Sequence, residues 1–136
     1  MDNAKNRLIH VFFYGLYMDP EILKAKGVKP RHPRKAIAKG YRLRIGNMAT
    51  LLREANAEAH GIVYELTHHE LHALYWGAGL DAYVAEALVV EMEGGEKVAT
   101  LCCNLLEPPG DDESNPEYLG KLTPCMKKLN VGEPSA

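Results

Sequence analysis

The chain reads Phe-Phe-Tyr-Gly-Leu-Tyr-Met-Asp-Pro-Glu from Phe12 to Glu21. An apolar run enters a glycine, a short turn follows, and a helix start comes next. Leu8 to Tyr14 is short, β-branched and aromatic, and Gly15 closes it, so it reads as a buried first strand. Asp19 is suited to an N-cap, Pro20 to the first helical position, and Glu21 puts an acid in the first turn. That helix should stop near Gly27, with Lys24 and Lys26 complementing the negative end of its dipole. Backbone N–H groups at such a junction can aim at a carboxylate or an oxyanion, and Gly15 lets a ligand approach the main chain closely.

Working outward, Pro30 and Pro33 mark a loop. Residues 35–45 and 48–52 read as two strands joined through Gly46-Asn47, and His60 to Leu66 as a further strand. Thr67 and Glu70 form a capping box that should open a helix from 68 to about 76. Trp76, the only tryptophan, should pack that helix onto the sheet. Tyr83 to Met92 and Val98 to Leu106 flank Gly94-Gly95 as a β-hairpin. Asn115-Pro116-Glu117 repeats the cap–proline–acid helix start, and the helix should run towards Leu129 with Pro124 as a kink or stop. Residues 130–136 read as a frayed tail. The order β-α-β-β-β-α-β-β-α does not alternate regularly, which disfavours a doubly wound sheet. The expected class is α+β: a small mixed or barrel-like sheet decorated by short helices.

At 136 residues, the whole chain 1–136 is expected to be a single domain, since domains cluster at ~100–150 residues. Cys102, Cys103 and Cys125 are odd in number and two are adjacent, so buried free thiols in a reducing compartment are expected rather than a disulfide framework. The apolar run Leu8 to Met18 is far short of the ~20 residues of a membrane helix. Asp2 before it and Asp19-Pro20-Glu21 after it do not suit a signal peptide. A cytoplasmic location without membrane association is therefore expected. The oligomeric state stays open, a homodimer included.

The net charge of −2 hides an asymmetry: residues 1–53 carry twelve Lys/Arg against three acids, and residues 54–136 four against fifteen. Between Ile22 and Leu52 there is no acid, and the basic stretch 24–44 could face phosphates or RNA. It lacks interleaved aromatics apart from Tyr41, so nucleic acid is disfavoured as a partner and the basic half is expected to pack beside the acidic half. Serine nucleophiles are nearly excluded by there being only Ser114 and Ser135, neither in a Gly-x-Ser-x-Gly elbow. No Gly-rich nucleotide cradle is present. His68 and His72 share a helical face around Glu70, but the spacing is not that of a zinc motif, and a solvated helix face is expected.

Tyr14-Gly15-Leu16-Tyr17-Met18 resembles the YGSLM-type loop that follows the first strand in the γ-glutamylcyclotransferase-like family. Gly61-Ile62-Val63-Tyr64-Glu65-Leu66 is similar to a strand of that family, and a short polar helix carrying Leu71 and Leu74 follows it. A glycine-bearing turn then leads to Tyr83, and Ser114-Asn115-Pro116-Glu117-Tyr118-Leu119 resembles the start of the C-terminal helix. These pieces keep their order over residues 8 to about 129.

The resemblance implies a small mixed β-barrel with short peripheral helices and a pocket beside the Tyr14–Met18 loop. It also implies release of 5-oxoproline from a γ-glutamyl amino acid, peptide or amine, with no metal or organic cofactor. A glutamate in the loop after the short helix acts as general base and acid in such proteins, and backbone N–H groups of the first loop hold the substrate. Here that loop reads Gly77-Ala78-Gly79, and Leu16 and Tyr17 replace the usual Ser and Leu. Asp81 is the candidate replacement base. Glu86, also near, is expected to be a solvated strand residue. Tyr14, Gly15, Leu16, Tyr17, Gly77, Ala78, Tyr83 and Tyr118 are the candidate substrate-binding residues. The partner implied is a small γ-glutamyl substrate or ligand. The rival reading keeps the pocket in a catalytically inert binding or regulatory protein.

Overall fold

The computed structural model describes residues 3–76 and 79–132. Five strands close into a barrel in the order β1-β3-β2-β4-β5. They are β1 (Leu8–Phe13), β2 (Arg31–Ile45), β3 (Ala49–Thr67), β4 (Tyr83–Met92) and β5 (Lys97–Leu105). Three helices lie outside: α1 (Pro20–Ala25), α2 (His68–Tyr75) and α3 (Pro116–Leu129), with a 3-10 turn at Leu16–Met18. This is the small mixed barrel with short peripheral helices that the sequence led us to expect. β1 runs antiparallel to β3, with Phe12 opposite Val63, and parallel to β5, with Val11 opposite Leu101. That one parallel pair closes the ring.

Local chemistry accounts for most of the element ends. The Asp19 side chain accepts the Glu21 N–H at 3.0 Å to start α1. The helix ends where Gly27 takes φ +79° and the Val28 N–H donates back to the Leu23 carbonyl at 2.9 Å. At the start of α2 the Glu70 N–H donates to Thr67 Oγ1 at 3.1 Å, and the Thr67 N–H donates to Glu70 Oε1 at 2.9 Å. Gly94 and Gly95, both at positive φ, turn the β4–β5 hairpin as expected.

Two strand boundaries and the tail differ from expectation. The stretches 48–52 and 60–66 belong to one strand, β3, and the polar residues between them hold a register shift rather than a loop. There the ladder passes from Lys39–Glu58 to Tyr41–Arg53, with Gly40 at φ +84° and Asn56 at φ +67°. The expected Pro30–Pro33 loop is shorter, because β2 already starts at Arg31 and accommodates Pro33 in a second shift between Arg31 and Arg34. Helix α3 runs through Pro124 to Leu129, the expected extent, and Asn130 is its left-handed C-cap. Val131 is 4% exposed and its N–H donates to the Met126 carbonyl, so the tail does not fray at 130. Residues 133–136 lie outside the described residues.

The core runs through the barrel and under the helices. Phe12, Phe13, Tyr64 and Leu66 from the strands meet Met18, Leu23, Leu74, Leu122 and Met126 from the turn and helices, all nearly free of solvent contact. Leu122 and Met126 lie one turn apart on α3, the spacing that presents one apolar face to the barrel. The basic stretch pairs with acids: Arg31 with Glu70 at 2.8 Å, Arg34 with Glu96 at 2.9 Å, Lys39 with Glu91 at 2.9 Å and Arg42 with Glu54 at 3.2 Å. All three cysteines are buried and free. Among the described residues no helix is long and apolar enough to cross a membrane.

Candidate functional site

The junction after β1 forms one wall of a cavity of about 350 Å³. Phe13, Tyr14, Gly15, Leu16 and Tyr17 line it in sequence, because the strand ends there and the chain tightens into the 3-10 turn. Tyr83 at the start of β4 and Tyr118 in the first turn of α3 complete the aromatic wall. Six of the eight candidate binding residues thus meet at this place. Gly77 and Ala78 lie outside the described residues.

The tip of the β2–β3 hairpin adds Asn47, Met48 and Ala49 to the lining. Arg44 pins that tip by donating to the carbonyls of Gly110 at 2.7 Å and Glu113 at 2.9 Å. The Asn47 N–H donates to Glu113 Oε1 at 3.0 Å. The Tyr83 hydroxyl donates to the Ala49 carbonyl, while the Tyr14 hydroxyl gives its proton to the Cys103 carbonyl at 2.7 Å and lies 3.4 Å from the Ala49 carbonyl. The Tyr17 hydroxyl donates to the Leu74 carbonyl at 2.7 Å, tying the loop to α2.

Tyr118 is fitted to the loop. Its hydroxyl accepts the Leu16 N–H at 3.1 Å. A Cβ on Gly15 would collide with that same hydroxyl. Glycine is needed here for close approach, since its backbone is extended at φ −120°.

Burial raises the pKa of every cavity tyrosine. Tyr14 and Tyr75 are held well above the ordinary phenol value by desolvation, with nearby cysteines and tyrosines adding to it. Tyr83, Tyr118 and Tyr17 are raised mainly by the same desolvation. The phenols therefore stay neutral near pH 7 and serve as hydrogen-bonding groups rather than bases. Burial also pushes the neighbouring Cys103 thiol up to about 12, which removes it as a nucleophile.

Lys26, at the end of α1, is the one cationic side chain among the described lining residues. No carboxylate or imidazole is among them. Asp81 is exposed in the turn before β4 and does not line the cavity, although Leu80 and Tyr83 on either side of it do. Glu86 is exposed, as expected, but its Oε1 accepts a hydrogen bond from Asn104 Nδ2 at 3.2 Å. His72 stacks on Trp76 with ring centroids 5.4 Å apart, so Trp76 packs along α2 as well as against the core.

Sequence reasoning missed Tyr75, Lys26, Ile22 and the hairpin tip. Only the tip carried a signal: Gly46-Asn47 marked the turn, but nothing local placed that turn against a loop thirty residues earlier.

A family model described as "Gamma-glutamyl cyclotransferase, AIG2-like" matches residues 11–118. Among solved structures, an Arabidopsis thaliana protein is similar at 21% identity and TM-score 0.70, over 95% of this chain and 88% of that one. A structure titled "Gamma-glutamyl cyclotransferase" matches at 19% identity and TM-score 0.67, over 94% and 89%. A yeast γ-glutamyl cyclotransferase described as specific to glutathione matches at 15% identity and TM-score 0.65, over 93% and 90%. No curated protein sequence matches this chain.

Proposed function

Since the chain belongs to the γ-glutamyl cyclotransferase, AIG2-like family, we propose that its cavity binds a small γ-glutamyl amino acid, peptide or amine, or 5-oxoproline itself. In this reading the family's pocket is kept for recognition, with the Leu16 N–H committed to the Tyr118 hydroxyl, and the proton-transfer half is not kept. One observation carries it: loop 14–17, Tyr83 and Tyr118 converge on one cavity, and no carboxylate is among its described lining residues. Gly77 and Ala78, where the resemblance places the glutamate, carry no acid. A cavity of about 350 Å³ lies at the low end of the ~300–1,000 Å³ range of small-ligand sites. Lys26 supports an anionic ligand, because an ammonium group at the cavity attracts the ligand's carboxylate.

A second reading keeps the activity. Asp81 lies between two lining residues, Leu80 and Tyr83, so a movement of that turn could carry its carboxylate to the cavity. The ligand's α-amine would then attack its own γ-carbonyl while Asp81 takes the amine proton. Breaking the γ-amide bond and returning that proton to the leaving amine would release 5-oxoproline.

The test is calorimetric titration with γ-glutamyl-alanine, γ-glutamyl-ethylamine and 5-oxoproline, each mixture being assayed afterwards by mass spectrometry. Saturable binding with the γ-glutamyl compounds recovered intact is the expected result. Their conversion to 5-oxoproline overturns the binding reading in favour of Asp81 chemistry, and absence of binding by all three overturns both.

A further inference from the structure

The closed barrel splays open along the β2–β4 seam. β2 and β4 pair only at Ala36 with Met92 and Ile37 with Glu91. Beyond that point β2 continues with β3 alone, and β4 with β5 alone. A second cavity of about 230 Å³ opens in the split, separate from the loop cavity in all its lining residues. Tyr41 and Arg53, directly opposite each other in the β2–β3 ladder, form one side, and Glu86 of β4 and Asn104 of β5 form the other. Leu51 and Leu88 are apolar parts of its lining.

The polar groups are arranged rather than scattered. Asn104 is 6% exposed. Its amide oxygen accepts the Leu51 N–H at 3.2 Å, which commits its amide nitrogen to Glu86 Oε1 at 3.2 Å. Glu86 is thereby oriented by a buried side chain while keeping lone pairs to spare. Among the described residues the Arg53 side chain makes no ion pair or hydrogen bond, and Glu86 has no cationic partner. A cation and a carboxylate thus line one small polar cavity without neutralising each other.

The geometry points to a binding site for a free α-amino acid. Its carboxylate meets the Arg53 guanidinium, a planar fork matched to two oxygens. Its ammonium meets Glu86, and its Cα substituent lies against Tyr41 and Leu88. Arg53 and Glu86 each offer one charge contact, so a zwitterion makes both where a singly charged ligand makes only one, and the site favours zwitterions. The cavity is below the ~300–1,000 Å³ of drug-sized ligands, which restricts it to small amino acids. This inference does not rest on the function proposed for the loop cavity.

The test is titration of the ¹⁵N-labelled protein with glycine, L-alanine and L-valine, followed by amide correlation spectra, with acetate and ethylamine as half-ligands. Saturable shifts are expected at the amides of Arg53, Glu86 and Asn104, with those of Gly15 and Leu16 unmoved. Arg53→Gln and Glu86→Gln should each weaken binding by about tenfold or more, as should offering either half-ligand alone. Both side chains are exposed, so both variants should keep the wild-type spectrum elsewhere. No saturable shift at these amides, or shifts confined to Gly15 and Leu16, overturns the site. Weakening by only one of the two variants overturns its selectivity for zwitterions.

Discussion

The Tyr118 hydroxyl accepts the Leu16 backbone N–H at 3.1 Å, joining two residues 102 positions apart. This bond fixes the loop after β1 to the first turn of α3, and it occupies a main-chain donor that faces the cavity. Two consequences follow for variants. Tyr118→Phe should cost about 0.5–1.5 kcal/mol by removing the bond. Gly15→Ala should cost about 1–3 kcal/mol, because the new methyl group overlaps the hydroxyl. The double variant should cost less than the sum, since removing the hydroxyl also removes the collision. Urea unfolding of the four proteins measures the coupling, and strict additivity would show that the two sites do not touch.

Glu70 ties three segments together. Burial alone would raise its pKa, but hydrogen bonds from the Arg31 guanidinium and from the Thr67 and Lys29 N–H groups, together with the Arg31 charge, hold its carboxyl at about 2. A folded-state pKa below the unfolded one stabilises the protein above the ordinary carboxylate range. That stability is lost as pH falls from about 5 towards 2. Glu70→Gln should be destabilised by about 1–3 kcal/mol at pH 7. The gap to wild type should narrow through that window. Unfolding midpoints from pH 7 to pH 2.5 check it, and a pH-independent gap would contradict it.

Gly120 lies within α3, and a Cβ added there meets nothing within 4 Å. Gly120→Ala should therefore stabilise the protein by about 0.5–1 kcal/mol through lower chain entropy in the unfolded state. A higher melting temperature with an unchanged amide spectrum is the expected outcome.

The elements that could be read from the chain are those decided by neighbours in sequence. Asp19-Pro20, Thr67 with Glu70, Gly94-Gly95 and Asn115-Pro116 each act through local hydrogen bonds or φ preferences, and each lies at the boundary it signals. The continuity of β3 was not legible. Residues 53–59 are mostly polar, and what keeps them in the strand is pairing with β2 across a bulge. Closure through Val11 and Leu101 was equally hidden, because it joins positions ninety residues apart by one parallel contact. Helix α3 continues past Pro124 towards Leu129, because the burial of Leu122, Cys125 and Met126 on either side outweighs that proline's local cost.

The same division runs through the candidate site. Tyr14 to Tyr17, Tyr83 and Tyr118 could be named from motif order, whereas Tyr75, Lys26 and the hairpin tip reach the cavity only by tertiary packing. Asp81 was named by its distance along the chain, and the structure leaves it exposed beside the cavity it was expected to enter.

The central claim is that this cavity retains recognition without its base, and restoring an acid at the position marked by the family resemblance tests it directly. Release of 5-oxoproline from γ-glutamyl-alanine should be followed by mass spectrometry for the wild type, Ala78→Glu and Asp81→Asn. The account expects no release by the wild type or Asp81→Asn and measurable release by Ala78→Glu, since a positioned general base contributes ~10²–10⁴-fold. Release by the wild type that disappears in Asp81→Asn would contradict it.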